Sequence, residues 1–510
     1  MLTNAGALIG TTAVTSLLGF VYWWLAARRF PPEEVGVASA SVSAMVLLGG
    51  FCVLGLGTLL ITELPRQPGQ ATSLISTSLM IVGSVGGIAG FVFAVVAPFA
   101  SNGFKELGVS LVNTTLFAAG VSLTAMAVVL DQALVGLLRG KLQFGRNTLF
   151  ASAKLVALFG LSFFSAGRAG MAMYATWALG IVISLLALAA YLLCKAGWPG
   201  GDYLPRWSLL RKLGGAALQH HMLNMTLQAP ILMLPLLVTA LLSATMNAWF
   251  YVSWMIVSFV FLVPNTLTIV LHAMSSAQQA TLAHKARVTL AIGLAASLLA
   301  NVVLQVAAKQ ALNLFGASYA QQATWTLRVL LLAAFPLSIK YHYIAICRIQ
   351  DRIKQAMLGM LPGGLLELSA AALGARLGGL TGLSAGWVVA IYIEALFMFR
   401  TVVSTVRAAR AQADGIDRLP ARLAVPVMEP NYVGGDAIWL MDTISMPIVR
   451  LTAIKKANKE IERRQQERGF QSPWRINRGE HEEQLYTMRS VIPARQDMDD
   501  TGSRSASREK

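Results

Sequence analysis

The 510-residue sequence is short of charge, and acidic charge is the scarcest. Only 13% of the residues are charged, with 24 Asp and Glu against 41 Lys and Arg, where a soluble globular chain carries about a quarter. A soluble chain of this length would form about three domains, and this charge does not cover three such surfaces. A soluble multidomain enzyme is excluded. Long polar stretches are also missing before the last hundred residues. With 55% hydrophobic residues and a mean hydropathy of +0.60, disorder is excluded for most of the chain. The three cysteines, Cys52, Cys194 and Cys347, lie far apart, within or at the ends of apolar segments. They form no disulfide framework and no metal spacing. No G-x-x-x-x-G-K-[ST] or HExxH occurs, so no P-loop nucleotide-driven enzyme and no zinc hydrolase is expected. The pair His220–His221 has no carboxylate at ligand spacing, so no metal is expected. The N-terminus has no basic n-region and no clear cleavage site, and its apolar stretch is expected to stay as a first helix.

What the sequence does have is apolar runs of spanning length. A membrane helix needs roughly 20 mostly apolar residues. Twelve segments qualify, near 5–27, 35–62, 73–99, 110–138, 147–166, 170–194, 213–240, 245–274, 287–308, 325–348, 354–376 and 383–406. The expected fold class is an all-α polytopic membrane protein of about 12 transmembrane helices, with a hydrophilic C-terminal tail. Residues 1–409 hold 24 Lys and Arg but 9 Asp and Glu, while residues 410–510 hold 17 and 15. The basic excess therefore sits in the apolar part, which argues for loop charges that set topology and against a nucleic-acid patch. One set of alternate loops holds Arg66; Arg139, Lys141 and Arg146; Lys195, Arg206, Arg211 and Lys212; Lys285 and Arg287; Arg348, Arg352 and Lys354. The other set is poorer, with Arg28 and Arg29 partly offset by Glu33 and Glu34. The richer set is assigned to the cytoplasm, which places both termini there.

Landmarks repeat about 210 residues apart: Trp177 and Trp387, Arg139 and Arg348, and the turns at Pro32–Gly36 and Ala244–Ala248. Six helices per repeat is an even number, so both halves share one orientation. The pseudo-two-fold axis is then expected along the membrane normal, although any two six-helix halves would show some such landmarks. The expected divisions are a six-helix lobe over 1–200, a second over 201–410, and a cytoplasmic tail over 411–510. Within the tail, residues 437–455 read either as a helix on the inner leaflet or as part of a solvated charged helix. Residues 470–510 read as disordered. In the third segment, Gly83, Gly86, Gly87 and Gly90 form two overlapping GxxxG patterns for close helix packing.

Charges inside spans are costly and therefore informative. Three acids lie well inside, Asp131, Glu367 and Glu394, with Lys154 and Lys340 as the bases. Asp131 and Lys154 are each about seven residues from the same hairpin turn, so they are expected to pair. That pair is either a structural brace or an anion or proton site beside a cavity. Lys340, Glu367 and Glu394 are expected to cluster in the second half. Such a cluster is either an ion-coupling site, for Na⁺ or H⁺, or an ion pair with one protonated acid. His221, Asn224 and Gln228, at i, i+3 and i+7, share one helix face. They read either as the wall of a hydrated cleft or as interhelical hydrogen bonds.

Several motifs in order carry a resemblance: Phe30-Pro31-Pro32-Glu33-Glu34-Val35-Gly36, then Gly55-Leu56-Gly57 with Leu64-Pro65-Arg66, then Leu138-Arg139-Gly140 with Arg146-Asn147. Phe315-Gly316, Tyr319-Ala320, Leu327-Arg328 and Pro336 follow. Over about residues 1–408 the chain resembles polysaccharide flippases of the O-antigen (Wzx) type, in the multidrug/oligosaccharidyl-lipid/polysaccharide exporter superfamily. The resemblance implies two six-helix lobes around a cavity that opens alternately to each side of the bacterial inner membrane. It implies a lipid-linked oligosaccharide on an undecaprenyl diphosphate as substrate, and the glycosyltransferases or polymerase of the same pathway as partners. A diphosphate head requires cations; Arg28, Arg29, Arg66, Arg139 and Lys340 are available, though the arginines serve equally as topology signals. Lipid II flippases of the superfamily carry two further helices where this chain turns hydrophilic. A cation-coupled multidrug exporter and a non-transporting scaffold of a glycan-synthesis complex are the alternative readings.

Overall fold

A computed structural model describes residues 2–164, 169–196, 215–275, 282–350 and 352–417. Its α-helices are α1 (Leu2–Arg29), α2 (Pro32–Cys52), α3 (Leu56–Glu63), α4 (Ala71–Ala100), α5 (Lys105–Gly108), α6 (Leu111–Gly136), α7 (Gly140–Phe164) and α8 (Gly170–Ala196). They continue as α9 (Gly215–Leu241), α10 (Ala244–Ser275), α11 (Leu282–Asn313), α12 (Ala317–Gln322), α13 (Thr324–Leu331), α14 (Ala334–Ile349) and α15 (Ile353–Asp417). The described residues include 10 stretches long and apolar enough to cross a membrane. The last stretch holds two expected spans end to end, because helical geometry is interrupted at Gly378 and Gly379, where Gly379 has φ 59°. With the 28-residue α1, every expected span falls on helix.

The boundaries differ in informative places. The span expected over 35–62 is broken, because Leu54 and Gly55 take φ 52° and 79° and end α2 before α3 resumes the path. The fifth span starts at Gly140, seven residues earlier than expected. The expected division near residue 200 lies in 197–214, outside the described residues, as does the tail helix expected at 437–455.

The glycine stripe of α4 does pack as its spacing requires. A Cβ on Gly86 or Gly90 would stand 3.0 and 2.8 Å from the Cα atoms of Ser122 and Ala118 on α6. Ser122 Oγ donates to Gly83 O at 2.8 Å across the same contact. Small residues here let two backbones approach without losing a side chain to strain.

The two halves meet along α2. The rim carrying the arginine-rich loops is called the inner rim here, and the opposite one the outer rim. At the outer rim Gly36 lies against the Ala244 carbonyl so closely that no Cβ fits between them. Asn247 Nδ2 donates to Gly36 O at 3.0 Å and to Ser39 Oγ at 2.9 Å. Gly36 and Asn247 are 211 residues apart, so a residue touches a position beside its repeat mate, the contact an axis along the bundle produces. Three more bonds close this rim. Ser101 Oγ donates to Ala240 O at 3.1 Å, and Trp24 Nε1 and Arg28 Nε both donate to Leu314 O, at 2.9 and 2.8 Å. Leu314 follows the C-terminus of α11, where a cation meets the negative end of the helix dipole. α2 touches the second half again toward the inner rim, where a Cβ on Gly50 would lie 3.3 Å from Met225 Sδ. α1, in contrast, runs along α7 of its own half. Its ring contacts with α10 are Trp23–Tyr251 at 4.7 Å, toward the outer ends of both helices, and Phe20–Phe259 at 5.9 Å, at the middle of α10.

Candidate functional site

Of the charges expected inside the spans, Lys154, Lys340, Glu367 and Glu394 are buried and Asp131 is half-buried, and they form three separate nodes. In the second half, Lys340 on α14 lies between two glutamates of α15. Its Nζ is 2.5 Å from Glu367 Oε1 and 2.7 Å from Glu394 Oε2. Trp387 Nε1 donates to the other Glu367 oxygen at 2.8 Å. The three charged residues are each at most 7% exposed. The expected cluster is therefore present. α15 can place both acids on one lysine because it folds back at Gly378–Gly379. A Cβ on Gly363 would press on the Glu394 carboxyl carbon, so this glycine makes the room for the second acid. With all groups ionised, the node carries one excess negative charge. One cation, a proton or Na⁺, would neutralise it.

The node in the first half differs from expectation. Asp131 on α6 does not pair with Lys154. It accepts from Arg146 on α7 through both oxygens, at 2.8 and 2.5 Å, and from Asn147 Nδ2 at 3.0 Å. The cause is the helix start. With α7 beginning at Gly140, Arg146 rather than Lys154 stands level with Asp131 across the hairpin. The fork of a guanidinium then fits the carboxylate in two parallel bonds. Asp131→Ala is expected to lower stability by about 3 kcal/mol or more, because it leaves Arg146 buried without its acid. Thermal unfolding of the solubilised protein checks this, and a loss under ~1 kcal/mol would remove the pair as a brace.

Lys154 makes the third node. Its ammonium lies over the ring of Trp177 on α8, 3.4 Å from the centroid, with Phe150 at 4.6 Å and Tyr22 of α1 at 5.4 Å. Among the described residues no carboxylate pairs with it. The cage was not legible in the sequence, because its rings come from three helices separated by many residues. The repeat mates Trp177 and Trp387 were the one available signal, and both turn out to face a buried charge.

The remaining candidates are placed as follows. Arg28 and Arg29 are exposed at the outer rim, and Arg28 belongs to the seam onto Leu314. Arg66 is exposed and pairs with Glu63 at 3.4 Å, one turn away. Arg139 is exposed at the α6–α7 turn. Neither Arg66 nor Arg139 is brought to the buried nodes. The polar stripe of α9 divides: His221 is buried, Asn224 accepts from Arg348 Nη2 at 2.7 Å, and Gln228 is exposed. At Asn224 the interhelical hydrogen bond is the reading the geometry supports.

Residues 1–213 match the family model described as "Polysaccharide biosynthesis protein". No curated protein sequence matches the chain. Among solved structures, an inward-facing multidrug resistance MATE family transporter of the MOP superfamily is 16% identical. It covers 79% of this chain and 99% of its own, with a TM-score of 0.60. An outward-facing MATE transporter of the same superfamily is 15% identical over 80% of this chain and 95% of its own, with a TM-score of 0.53. A MATE structure solved with MaL6 gives 13% identity over 80% and 96%, with a TM-score of 0.53. The chain has the multi-pass membrane fold of these transporters, and its residues 1–213 match the polysaccharide-biosynthesis family model.

Proposed function

We propose that this protein is a flippase for lipid-linked oligosaccharides. It would carry a polyprenyl-diphosphate-linked glycan from the inner to the outer leaflet of a bacterial plasma membrane, with both termini in the cytoplasm. The observation that carries this reading is the match of residues 1–213 to the polysaccharide-biosynthesis model on a chain with a transporter fold. The seam between the halves supports it. α2 holds the second half at both rims, whereas α1 and α10 meet through rings between the outer rim and the middle of α10. An apolar seam between α1 and α10 would let a lipid tail remain in the bilayer while its polar head crosses inside.

Alternating access would run between this state, with the outer rim closed, and one in which the Gly36–Ala244 and Leu314 contacts part. The Lys340–Glu367–Glu394 node would take up the coupling proton or Na⁺, since its charge is unbalanced and neutralisation by a cation would change its hold on Trp387. Enzymes that build or polymerise the glycan are the partners this role requires.

The test is the sidedness of lipid-linked oligosaccharides in cells lacking the protein, read with a membrane-impermeant sugar-labelling probe. Accumulation on the cytoplasmic leaflet is expected. A normal distribution would sink the flippase reading. A multidrug exporter is the second reading, favoured by the likeness to multidrug MATE transporters and by the buried acids of α15. It predicts raised intracellular levels of cationic dyes in the same cells, with glycan sidedness unchanged. A scaffold predicts that glycan synthesis needs the tail and tolerates loss of the buried charges.

A further inference from the structure

We infer that Lys154 is the residue that binds the phosphate groups of the transported molecule, held on aromatic rings while the site is empty. This rests on the flippase reading and names the group that would recognise the substrate head.

Three described lysines and arginines are buried: Arg146, Lys154 and Lys340. Arg146 has Asp131 and Lys340 has two glutamates. Lys154, 3% exposed, has rings alone among the described residues. Ring faces attract an ammonium but do not replace the hydrogen bonds that its three N–H groups make in water. A charge left in this condition is poorly compensated, and an anion that reaches it is favoured by the whole of that deficit.

The position is not one that the fold requires. Counted from Trp177 and Trp387, the nearest landmark pair at 210 residues apart, Gly364 is the mate of Lys154. There the second half closes the equivalent helix pair with no side chain, and a Cβ on Gly364 would lie 3.0 Å from Pro230 Cγ. A brace needed by the helix packing would be expected in both halves.

The rings also connect Lys154 to the seam. Trp177, under the ammonium, stands 6.2 Å from Trp23, and Trp23 stands 4.7 Å from Tyr251 of the opposite half. Lys154 is thus two rings away from the contact that closes the outer rim. Lys154 also lies 14 residues into α7, roughly 20 Å along the helix at 1.5 Å per residue, well inside the span. An anion brought to Lys154 would draw the ammonium off Trp177 through charge-assisted hydrogen bonds. Removing the cation from that ring loosens the Trp177–Trp23–Tyr251 stack, so occupancy by the anion and release of the outer seam become one event.

The test uses the full-length protein in nanodiscs, titrated calorimetrically with farnesyl diphosphate and with farnesol. The wild-type chain should bind the diphosphate more tightly than the alcohol. Lys154→Met should lose that preference by on the order of tenfold or more. It should also unfold at the same or a higher temperature, because an apolar side chain of similar volume replaces an unpaired buried charge. Lys154→Arg should keep part of the affinity. A Lys154→Met protein that still prefers the diphosphate overturns the lysine's role and leaves the flippase reading standing. A Lys154→Met protein that fails to fold or unfolds at lower temperature shows a structural brace, and also overturns it. A wild-type chain that binds farnesyl diphosphate no better than farnesol overturns this site and the lipid-diphosphate reading together.

Discussion

Lys340→Ala is expected to lower stability by about 3–5 kcal/mol, the cost of leaving a buried charge without its partner, and to abolish coupled transport. The substitution leaves Glu367 and Glu394 facing each other in the interior, with Trp387 Nε1 the sole donor at either carboxylate among the described residues. Glu367→Gln should behave differently. The amide oxygen can still accept from Trp387, its NH2 then faces the Lys340 ammonium donor against donor, and Lys340 keeps Glu394 as a neutral pair. Its stability is expected to fall by about 1–3 kcal/mol, less than in Lys340→Ala, while transport no longer responds to the ion gradient because the excess charge is gone. The double variant Lys340→Ala/Glu367→Gln removes one charge of each sign and should be more stable than Lys340→Ala alone. Thermal unfolding of the three solubilised variants decides this. Equal losses in both single variants would show that the two acids are not held by one lysine.

Gly36→Val is expected to reduce transport at least tenfold without reducing the amount of protein in the membrane. A Cβ at residue 36 would fall on the Ala244 carbonyl, and backbone cannot yield there as the end of a flexible side chain would. The helix itself does not suffer, because valine is no worse a helix former than glycine. The defect is confined to closing the outer rim. A cysteine placed at Tyr251, in a background without Cys52, Cys194 and Cys347, reports the state of that rim. Its reaction with an impermeant maleimide from outside should increase in the Gly36→Val protein. Gly160→Ala is the control, since a Cβ there meets nothing within 4 Å. Unchanged labelling at Tyr251 in Gly36→Val would show that the α2–α10 contact does not govern access. Increased labelling in Gly160→Ala would show that the reporter is not specific for the seam.

The helices were legible because spanning length and apolar content are local properties, and a bilayer tolerates few other backbone arrangements. The glycine stripe of α4 was legible for a related reason: residues at i and i+4 lie on one face whatever the rest of the fold does. The Lys340 node was legible because three charges within apolar helices must find one another or remain uncompensated. The break at Leu54–Gly55 was not, because the hydrophobic run continues through it and a positive φ leaves no trace in hydropathy.

The sequence by itself determined that this chain is a bundle of membrane helices, with a repeat near 210 residues and a few charges that must be buried inside. Tertiary structure alone decided which of those charges meet. Asp131 has two bases within reach on the next helix, and choosing between them depends on where α7 starts; each residue of shift moves a side chain about 1.5 Å along the axis and about 100° around it. Seven residues separate the expected start from Gly140, enough to give the acid to Arg146 and leave Lys154 to Tyr22, Phe150 and Trp177. Rings from three helices converge on that ammonium because the bundle packs α1, α7 and α8 side by side, and no spacing along the chain encodes such a meeting.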